Sequence, residues 1–243
     1  MEQKNYNYQL SFLLILLVLT SSSCALNPNS IRGDGNMTEV TWEVTDFEAI
    51  DASGMFKIYL LEGTSPSLRV ETDENLQKYV HVEVHDNTLK LSMDRNHTYN
   101  PTRMEVFITT NELKEINMSG ATSISADYTL ISDNLSLDLS GAGNINLHVD
   151  VVTLTTRVSG AGSINISGNA DNHHVRLSGA ASMSCLDLHT RSTTIHLSGA
   201  GSAKVYATDL LDANLSGVGS IRYGGNPQST QINKSGIGTI SPV

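Results

Sequence analysis

The strongest constraint on the fold is a six-residue phrase that the chain repeats seven times between Ser119 and Ile240. Each copy begins with Ser-Gly and continues with small and apolar residues, as in SGAGNI and SGAGSI. The intervals run from 18 residues (Ser198 to Ser216) to 21 residues (Ser119 to Ser140). A period this regular is typical of stacked supersecondary units. The seven pairs are Ser119 and Gly120, Ser140 and Gly141, Ser159 and Gly160, Ser178 and Gly179, Ser198 and Gly199, Ser216 and Gly217, and Ser235 and Gly236.

Alignment of the seven copies on their serine separates inward from outward positions. Apolar residues stand three and one before the serine and two, five and seven after it, which we interpret as a period of two on each side of Ser-Gly that changes phase across the pair. This pattern describes two strands that meet at a corner, where glycine permits close approach of the next coil. The alanine two after the serine is expected to point inward, and the serines to form a stacked row of hydroxyl groups. We therefore predict an all-β fold, a right-handed parallel β-helix or solenoid of about 19-residue coils.

The N-terminal β region, residues 39–116, alternates apolar and polar residues but at irregular spacing. Its phrase SGMFKI, residues 53–58, is similar to an eighth, degenerate copy of the repeat. The region therefore forms either the first coils of the same stack or a separate cap of antiparallel strands. Glutamate occurs only up to Glu115, which places the boundary near residue 116. The seven SGAG-type repeats then occupy residues 117–243.

Residues 1–23 have the features of a lipoprotein signal peptide. Lys4 lies in the n-region, an apolar run starts at Phe12, and small residues lead directly into Cys24. The apolar run is too short to span a bilayer. Lipidation of Cys24 would supply the two hydrophobic chains that stable membrane attachment needs, and ordinary secretory cleavage is the alternative. The polar segment 24–38 is predicted to be a flexible tether.

The charge balance bears on the class of partner. The formal net charge is −10, and the few Lys and Arg residues form no runs. Binding to a phosphate backbone relies on clustered cations, so nucleic acid is not expected and polyanions in general are disfavoured.

The adjacent His173 and His174 are expected on opposite faces of a strand, whereas two metal ligands on one strand need a spacing of two. We expect no metal and no cofactor.

One cysteine and three aspartates of the repeats are interpreted as structural residues, with no part in binding or catalysis. Cys185 stands seven after its serine, where the other copies have mostly apolar residues, so we predict a buried, inert thiol. Asp133, Asp171 and Asp209 share a position seven before the serine. They are predicted to be corner residues that accept backbone hydrogen bonds.

Polysaccharide-cleaving enzymes also use parallel β-helices, and they need converging acids or a group of acidic and basic side chains. The exposed candidates are Asp138, Asp150, Asp187, Arg157 and Arg176. The sequence interpretation assigns them to different positions of the repeat, so nothing brings them together. We predict no catalytic residue.

The repeats SGAGNIN from Ser140 and SGAGSIN from Ser159 resemble those of the head GIN domain family, exported bacterial proteins described as autotransporter adhesins. The phrase YLLEG at residues 59–63 and the run LKEI at 113–116 are similar to that family as well. The resemblance covers roughly residues 40–240. It implies a β-helical, pectin-lyase-like shape without the catalytic residues of that enzyme class, and a role in adhesion.

These observations lead to one primary hypothesis and one alternative. The primary hypothesis is a non-enzymatic, lipid-anchored protein of the cell envelope, an outer-membrane lipoprotein on the periplasmic or surface face. It would attach to the membrane through its lipid and act as an adhesin or scaffold that binds an extracellular glycan or protein. The alternative is a glycan-processing β-helical enzyme. Lys234 interrupts an apolar row in the last copy, which favours a monomer or a weak oligomer.

Overall fold

The structure is a computed structural model that describes residues 30–243, so the predicted signal peptide and the predicted lipidation site Cys24 lie outside the described residues. The elements before the repeats are β1 (Ser30–Arg32), β2 (Met37–Trp42), β3 (Ala49–Gly54), β4 (Lys57–Leu61), β5 (Ser67–Asp73), α1 (Glu74–Gln77), β6 (Val80–His85), β7 (Thr88–Met93), β8 (Thr98–Asn100) and β9 (Met104–Thr109). Those of the repeats are β10 (Glu115–Gly120), β11 (Ser123–Leu139), β12 (Ala142–Val158), β13 (Ala161–Leu177), β14 (Ala180–Ser184), β15 (Leu188–Leu197), β16 (Ala200–Tyr206), β17 (Leu210–Leu215), β18 (Val218–Gly224), β19 (Ser229–Lys234) and β20 (Ile237–Pro242).

The repeats form a parallel β-solenoid, as the sequence predicts. Strands β12 and β13 pair in parallel from Ala142 opposite Ala161 to Val158 opposite Leu177, so equivalent residues of successive coils lie side by side. Within β12 the side chains of Ile145, Leu147 and Val149 are buried and the residues between them are exposed. This period of two turns one face of each strand toward the core and the other toward solvent.

The N-terminal region contributes two further coils to the same stack. Strand β3 pairs in parallel with β10, which places Ser53 opposite Ser119 and Gly54 opposite Gly120. Strand β4 pairs with β11 in the same way. Strands β7 and β9 pair in parallel with β3 and β4 and form the next coil outward. The phrase at residues 53–58 is therefore confirmed as an eighth copy.

Antiparallel strands cover the N-terminal end of this stack. Strand β6 pairs antiparallel with β7, β5 with β9, and β2 with β5. Both alternatives for residues 39–116 thus occur together, coils next to the repeats and an antiparallel cap outside them. The order in space differs from the order in the chain, because β3 and β4 lie between the coil of β7 and β9 and the first repeat.

The described part of the predicted tether is ordered, which corrects the expectation for residues 30–38. Strand β1 pairs in parallel with β8, and β2 already begins at Met37. Between them, the buried carboxylate of Asp73 accepts hydrogen bonds from the backbone N–H groups of Gly35 (2.8 Å) and Thr102 (2.8 Å). Burial alone would raise the pKa of Asp73, but the hydrogen bonds from Thr102 and Gly35 outweigh it and lower that pKa. Partners distant in sequence therefore order a segment whose composition predicts coil.

One apolar core runs through the whole described chain. It extends from Phe47 in the N-terminal region to Ile221 in β18 without a break into two clusters. Near the N-terminal end it contains Phe56 and many Leu, Ile and Val residues, whereas later coils bury more small residues, such as Ala203, Ala207 and Ala213. Residues 39–116 and the repeats therefore form one packed unit. Within residues 30–243, no helix has the length and apolar character needed to cross a bilayer.

Candidate functional site

The Ser-Gly pairs lie at one edge of the coil. Six of the seven fall between two strands, and the first lies at the end of β10. The serines from Ser140 onward are exposed and follow one another from coil to coil. A Cβ on Gly160 would lie 1.7 Å from the carbonyl oxygen of Gly141 in the preceding coil. The glycines are therefore required by close backbone approach and provide no loop open to a ligand.

The alanines that follow these glycines point to solvent, which corrects the prediction that they face inward. Ala142, Ala161, Ala180 and Ala200 are all exposed. The inward residue at this corner is the next one, for example the buried Thr122 and Ala181. The change of phase predicted across Ser-Gly is therefore wrong, because one alternation runs through the corner. In the second repeat Leu139 and Ile145 are buried, whereas Ser140 and Ala142 between them are exposed.

Cys185 and His173 belong to the core. The thiol of Cys185 is buried, as predicted, and burial raises its pKa to about 12. His173 is buried while His174 on the same strand is exposed, which confirms that the two histidines face opposite sides. Among residues 30–243, no three His, Cys, Asp or Glu side chains lie close enough together to hold a metal ion.

Three of the five exposed candidates lie side by side on the outer face of one sheet, which corrects the prediction that nothing brings them together. Asp138 is opposite Arg157, and Arg157 is opposite Arg176. Each stands two residues before the serine of its own repeat, a position that the alignment on the serine could have revealed. We name the whole series the arginine row. Its members are Asp51, Asn117, Asp138, Arg157, Arg176, His196, Asn214 and Asn233.

The two arginines of the row differ in their surroundings. The guanidinium of Arg157 donates to Asp138 Oδ2 (3.0 Å) and to Ser136 Oγ (3.1 Å). Arg176 is exposed and has no hydrogen-bond or ion-pair partner within residues 30–243. One cation of the row is therefore neutralised and positioned, and the other is free to accept an anionic partner.

Two shallow depressions flank the row and share both arginines. The first, of about 490 Å³, runs along the serine side and includes Ser159 and Ser178. The second, of about 240 Å³, lies on the other side and is lined by Thr155, Arg157, His174, Val175, Arg176, Thr194 and His196. Hydroxyl groups thus border the two guanidinium groups on both sides, and imidazole groups border them on the side of the second depression.

A wider groove of about 820 Å³ lies at the opposite corner of the coils. Asp133, Asp150 and Asp171 line it, together with His189 and Tyr206, whose rings pack edge to face with centroids 4.9 Å apart. Asp133 and Asp171 are two coils apart at this corner, where the sequence predicts corner residues. Asp150 thus lies apart from the arginine row, as does Asp187, which is exposed in the turn between β14 and β15.

Arg191 at this corner donates to Asp209 (3.1 Å), the third of the predicted corner aspartates. The groove therefore combines carboxylates with an aromatic pair, and the arginine that lines it already has a partner.

The fold and these surfaces define an elongated β-solenoid with charged and polar side chains held in rows on its outside. A family model described as "Putative auto-transporter adhesin, head GIN domain" matches residues 46–227, and the chain belongs to this family. No curated protein matches the chain.

Solved structures share the fold. A "putative adhesin" from Bacteroides fragilis is 28% identical, with a TM-score of 0.85 over 88% of this chain and 100% of its own. A "putative lipid binding protein" from Parabacteroides distasonis is 26% identical, with a TM-score of 0.69 over 88% of this chain and 99% of its own. A "putative adhesin" from Parabacteroides merdae, 24% identical, has a TM-score of 0.67 over 88% and 99% of the two chains and shows the fold alone. Family membership supports an adhesin-like, binding role for an exported protein of the cell envelope.

Proposed function

We propose that the protein is a non-enzymatic adhesin of the cell envelope that binds a glycan or protein ligand on the side of its solenoid. The observation that carries this proposal is the arginine row, in which strand register fixes charged and amide side chains on an exposed sheet face. Backbone ladders on both sides of each strand hold these positions, except in β19, which pairs on one side. Binding therefore costs little ordering of the backbone, which favours recognition by a rigid surface.

Lipidation at Cys24 would attach this solenoid to the outer membrane, on its periplasmic or its surface face. The proposal follows from the signal-like segment 1–23 and the two-chain requirement for stable anchoring. A Cys24→Ser variant is the matching control in the experiment below, because it removes the anchor and leaves the binding surface unchanged.

The experiment compares a deletion strain of the source bacterium with strains complemented by variants. Wild type should restore attachment to surfaces coated with envelope or matrix glycans and proteins. The double variant Asp138→Ala with Arg157→Ala removes an ion pair at constant net charge, and it should restore at most about a tenth of the attachment. The control is the double variant Asn144→Ala with Asn146→Ala, whose residues are exposed on β12 just after the Ser-Gly corner. It should restore attachment fully.

Two results would contradict the proposal. One is a deletion strain that attaches as well as wild type. The other is a Cys24→Ser protein that still partitions with membranes and incorporates labelled lipid. That result would contradict lipidation at Cys24 but would not bear on the binding role.

A glycan-processing enzyme is the second candidate, and the corner groove favours it. Asp133 and Asp171 are two coils apart, about 10 Å by the spacing of paired strands, near the upper limit of the carboxyl separation in inverting glycosidases. New reducing ends or unsaturated products after incubation of the purified protein with a panel of polysaccharides would establish this activity. Their loss in Asp171→Asn would assign it to the groove.

A further inference from the structure

We infer that the arginine row binds the acidic groups of an acidic polysaccharide, a carboxylated or sulfated glycan that lies along the stack. The inference rests on the proposed function, since it names the class of ligand for that surface. It also revises the expectation from net charge that polyanions are disfavoured. Net charge averages over the whole chain, whereas strand register concentrates two arginines and two histidines in one place.

The first argument is the register of the two arginines. Arg157 and Arg176 are direct neighbours across a parallel strand pair, and both are exposed. Like charges placed side by side destabilise a sheet by a few tenths of a kcal/mol to about 1 kcal/mol. The arrangement brings no packing benefit to exposed side chains, whereas an anion between them would stabilise it through charge-assisted hydrogen bonds.

The second argument is the set of donors around Arg176. His174 lies two residues before it on the same strand and the same face, and His196 is opposite Arg176 in the next coil. Thr155 and Thr194 line the same depression. Carboxylate and sulfate groups accept several hydrogen bonds at once, and this depression offers guanidinium, imidazole and hydroxyl groups together.

The third argument is the composition of the row beyond its cations. Toward the N-terminal coils the row continues with Asp138, Asn117 and Asp51, and toward the C-terminal coils with Asn214 and Asn233. Carboxylates and amides accept hydrogen bonds from sugar hydroxyl groups. A glycan that carries acid groups and free hydroxyl groups can therefore match the row along its length.

The same composition disfavours other polyanions. A nucleic-acid backbone would place further phosphates against Asp138 and Asp51. An anionic membrane would meet the serines and threonines that flank the row, which offer no apolar side chain to insert. The remaining acids of the chain act weakly at the row, because salt screens exposed charges beyond about 8 Å. Paired strands are roughly 4.8 Å apart, which is close to the length of one sugar unit along a chain.

The experiment measures binding of the full-length mature protein in detergent to four probes. These are alginate (carboxylate), dextran sulfate (sulfate), neutral dextran, and vesicles of phosphatidylcholine with phosphatidylglycerol. Arg176→Gln is the test variant, since this side chain has no partner to lose in residues 30–243. Arg222→Gln is the matched control, an exposed arginine on the face that follows the Ser-Gly corner.

We expect wild type and Arg222→Gln to bind alginate or dextran sulfate with equal affinity, and neutral dextran at least tenfold more weakly. Arg176→Gln should bind the acidic polymer about tenfold more weakly, as expected for the loss of one charge-assisted contact. The affinity of the wild type should also fall as salt is raised. The choice between the two acidic polymers identifies the acid group.

Equal effects of the two substitutions would overturn the inference, as would binding to the vesicles but to neither acidic polymer. In either case, the proposed function would still stand if the deletion strain loses attachment and the wild-type gene restores it. Conversely, the acidic polymer could bind in a way that depends on Arg176 while the deletion strain attaches as well as wild type. Those two results together would support the polysaccharide site at the arginine row and contradict the adhesin role.

Discussion

His173 is an ionisable side chain buried in the core of the stack. In the neighbouring coils its position is occupied by Leu154 and Thr193, and its Nε2 lies 3.2 Å from the hydroxyl of Thr156. Burial, with a smaller contribution from the nearby His174, lowers the pKa of His173 to about 3. The imidazole therefore stays neutral in the folded protein between about pH 6.5 and pH 3, the range in which an unfolded histidine already carries its proton.

This difference predicts a loss of stability in acid. As the pH falls from about 6.5 toward 3, only the unfolded state binds the proton, so the free energy of unfolding falls by about 1.4 kcal/mol per pH unit. His173→Leu, which copies the residue in the preceding coil, should remove this contribution. The difference between wild type and variant should change by about 2 kcal/mol between pH 7 and pH 5 in urea unfolding curves. Parallel stability curves for the two proteins would show that His173 has no such role.

At the scale of the element, main-chain atoms of the preceding coil, rather than side chains, determine that glycine is needed at the Ser-Gly corner. The Cβ of an alanine at position 160 would meet the carbonyl oxygen of Gly141 at 1.7 Å and its carbonyl carbon at 2.7 Å. Both atoms are main chain, and the same contact recurs in the next coil, where a Cβ on Gly179 would lie 1.8 Å from the oxygen of Gly160. The stack can relieve such an overlap only by separating two coils.

We predict that Gly160→Ala lowers the free energy of unfolding by about 1–3 kcal/mol, the usual cost of overpacking. Gly224→Ala is the control, because its Cβ would meet side-chain atoms at ordinary contact distance, those of Leu186 and Tyr206 at 3.4 Å and of Val243 at 3.7 Å. That variant should stay within about 0.5 kcal/mol of wild type. Thermal and urea unfolding measure the stability of both variants. A Gly160→Ala protein as stable as wild type would refute the explanation of the repeated glycine by close backbone approach.

At the scale of the molecule, the two ends of the described stack differ. Antiparallel strands cover the N-terminal end, whereas in β19 at the other end all side chains are exposed, including Ile232 at 44%. Lys234 takes the place that Leu197 and Leu215 hold in the preceding coils, and its Nζ donates to the carbonyl of Gly238 (3.2 Å). A charge at an open strand edge opposes end-to-end pairing.

We predict that the unlipidated Cys24→Ser protein is a monomer or a weak oligomer, and that an added Lys234→Leu substitution promotes association. Light scattering as a function of protein concentration measures this. Lys204→Leu removes an equal charge from the exposed side of β16 and should leave the mass unchanged. Long filaments of the parent protein, or equal association of both variants, would contradict the prediction.

The sequence by itself determined the solenoid, its coil length and the burial of Cys185. The physical reason is that a corner glycine and a period of two are local requirements, repeated in every coil. Only the tertiary structure decided the rest, because the contacts concerned join residues far apart in the chain. Asp73 orders Gly35 across 38 residues, and β7 and β9 fold back beyond β3 and β4. Strand register brings Asp138, Arg157 and Arg176 into one row although a whole coil separates each from the next.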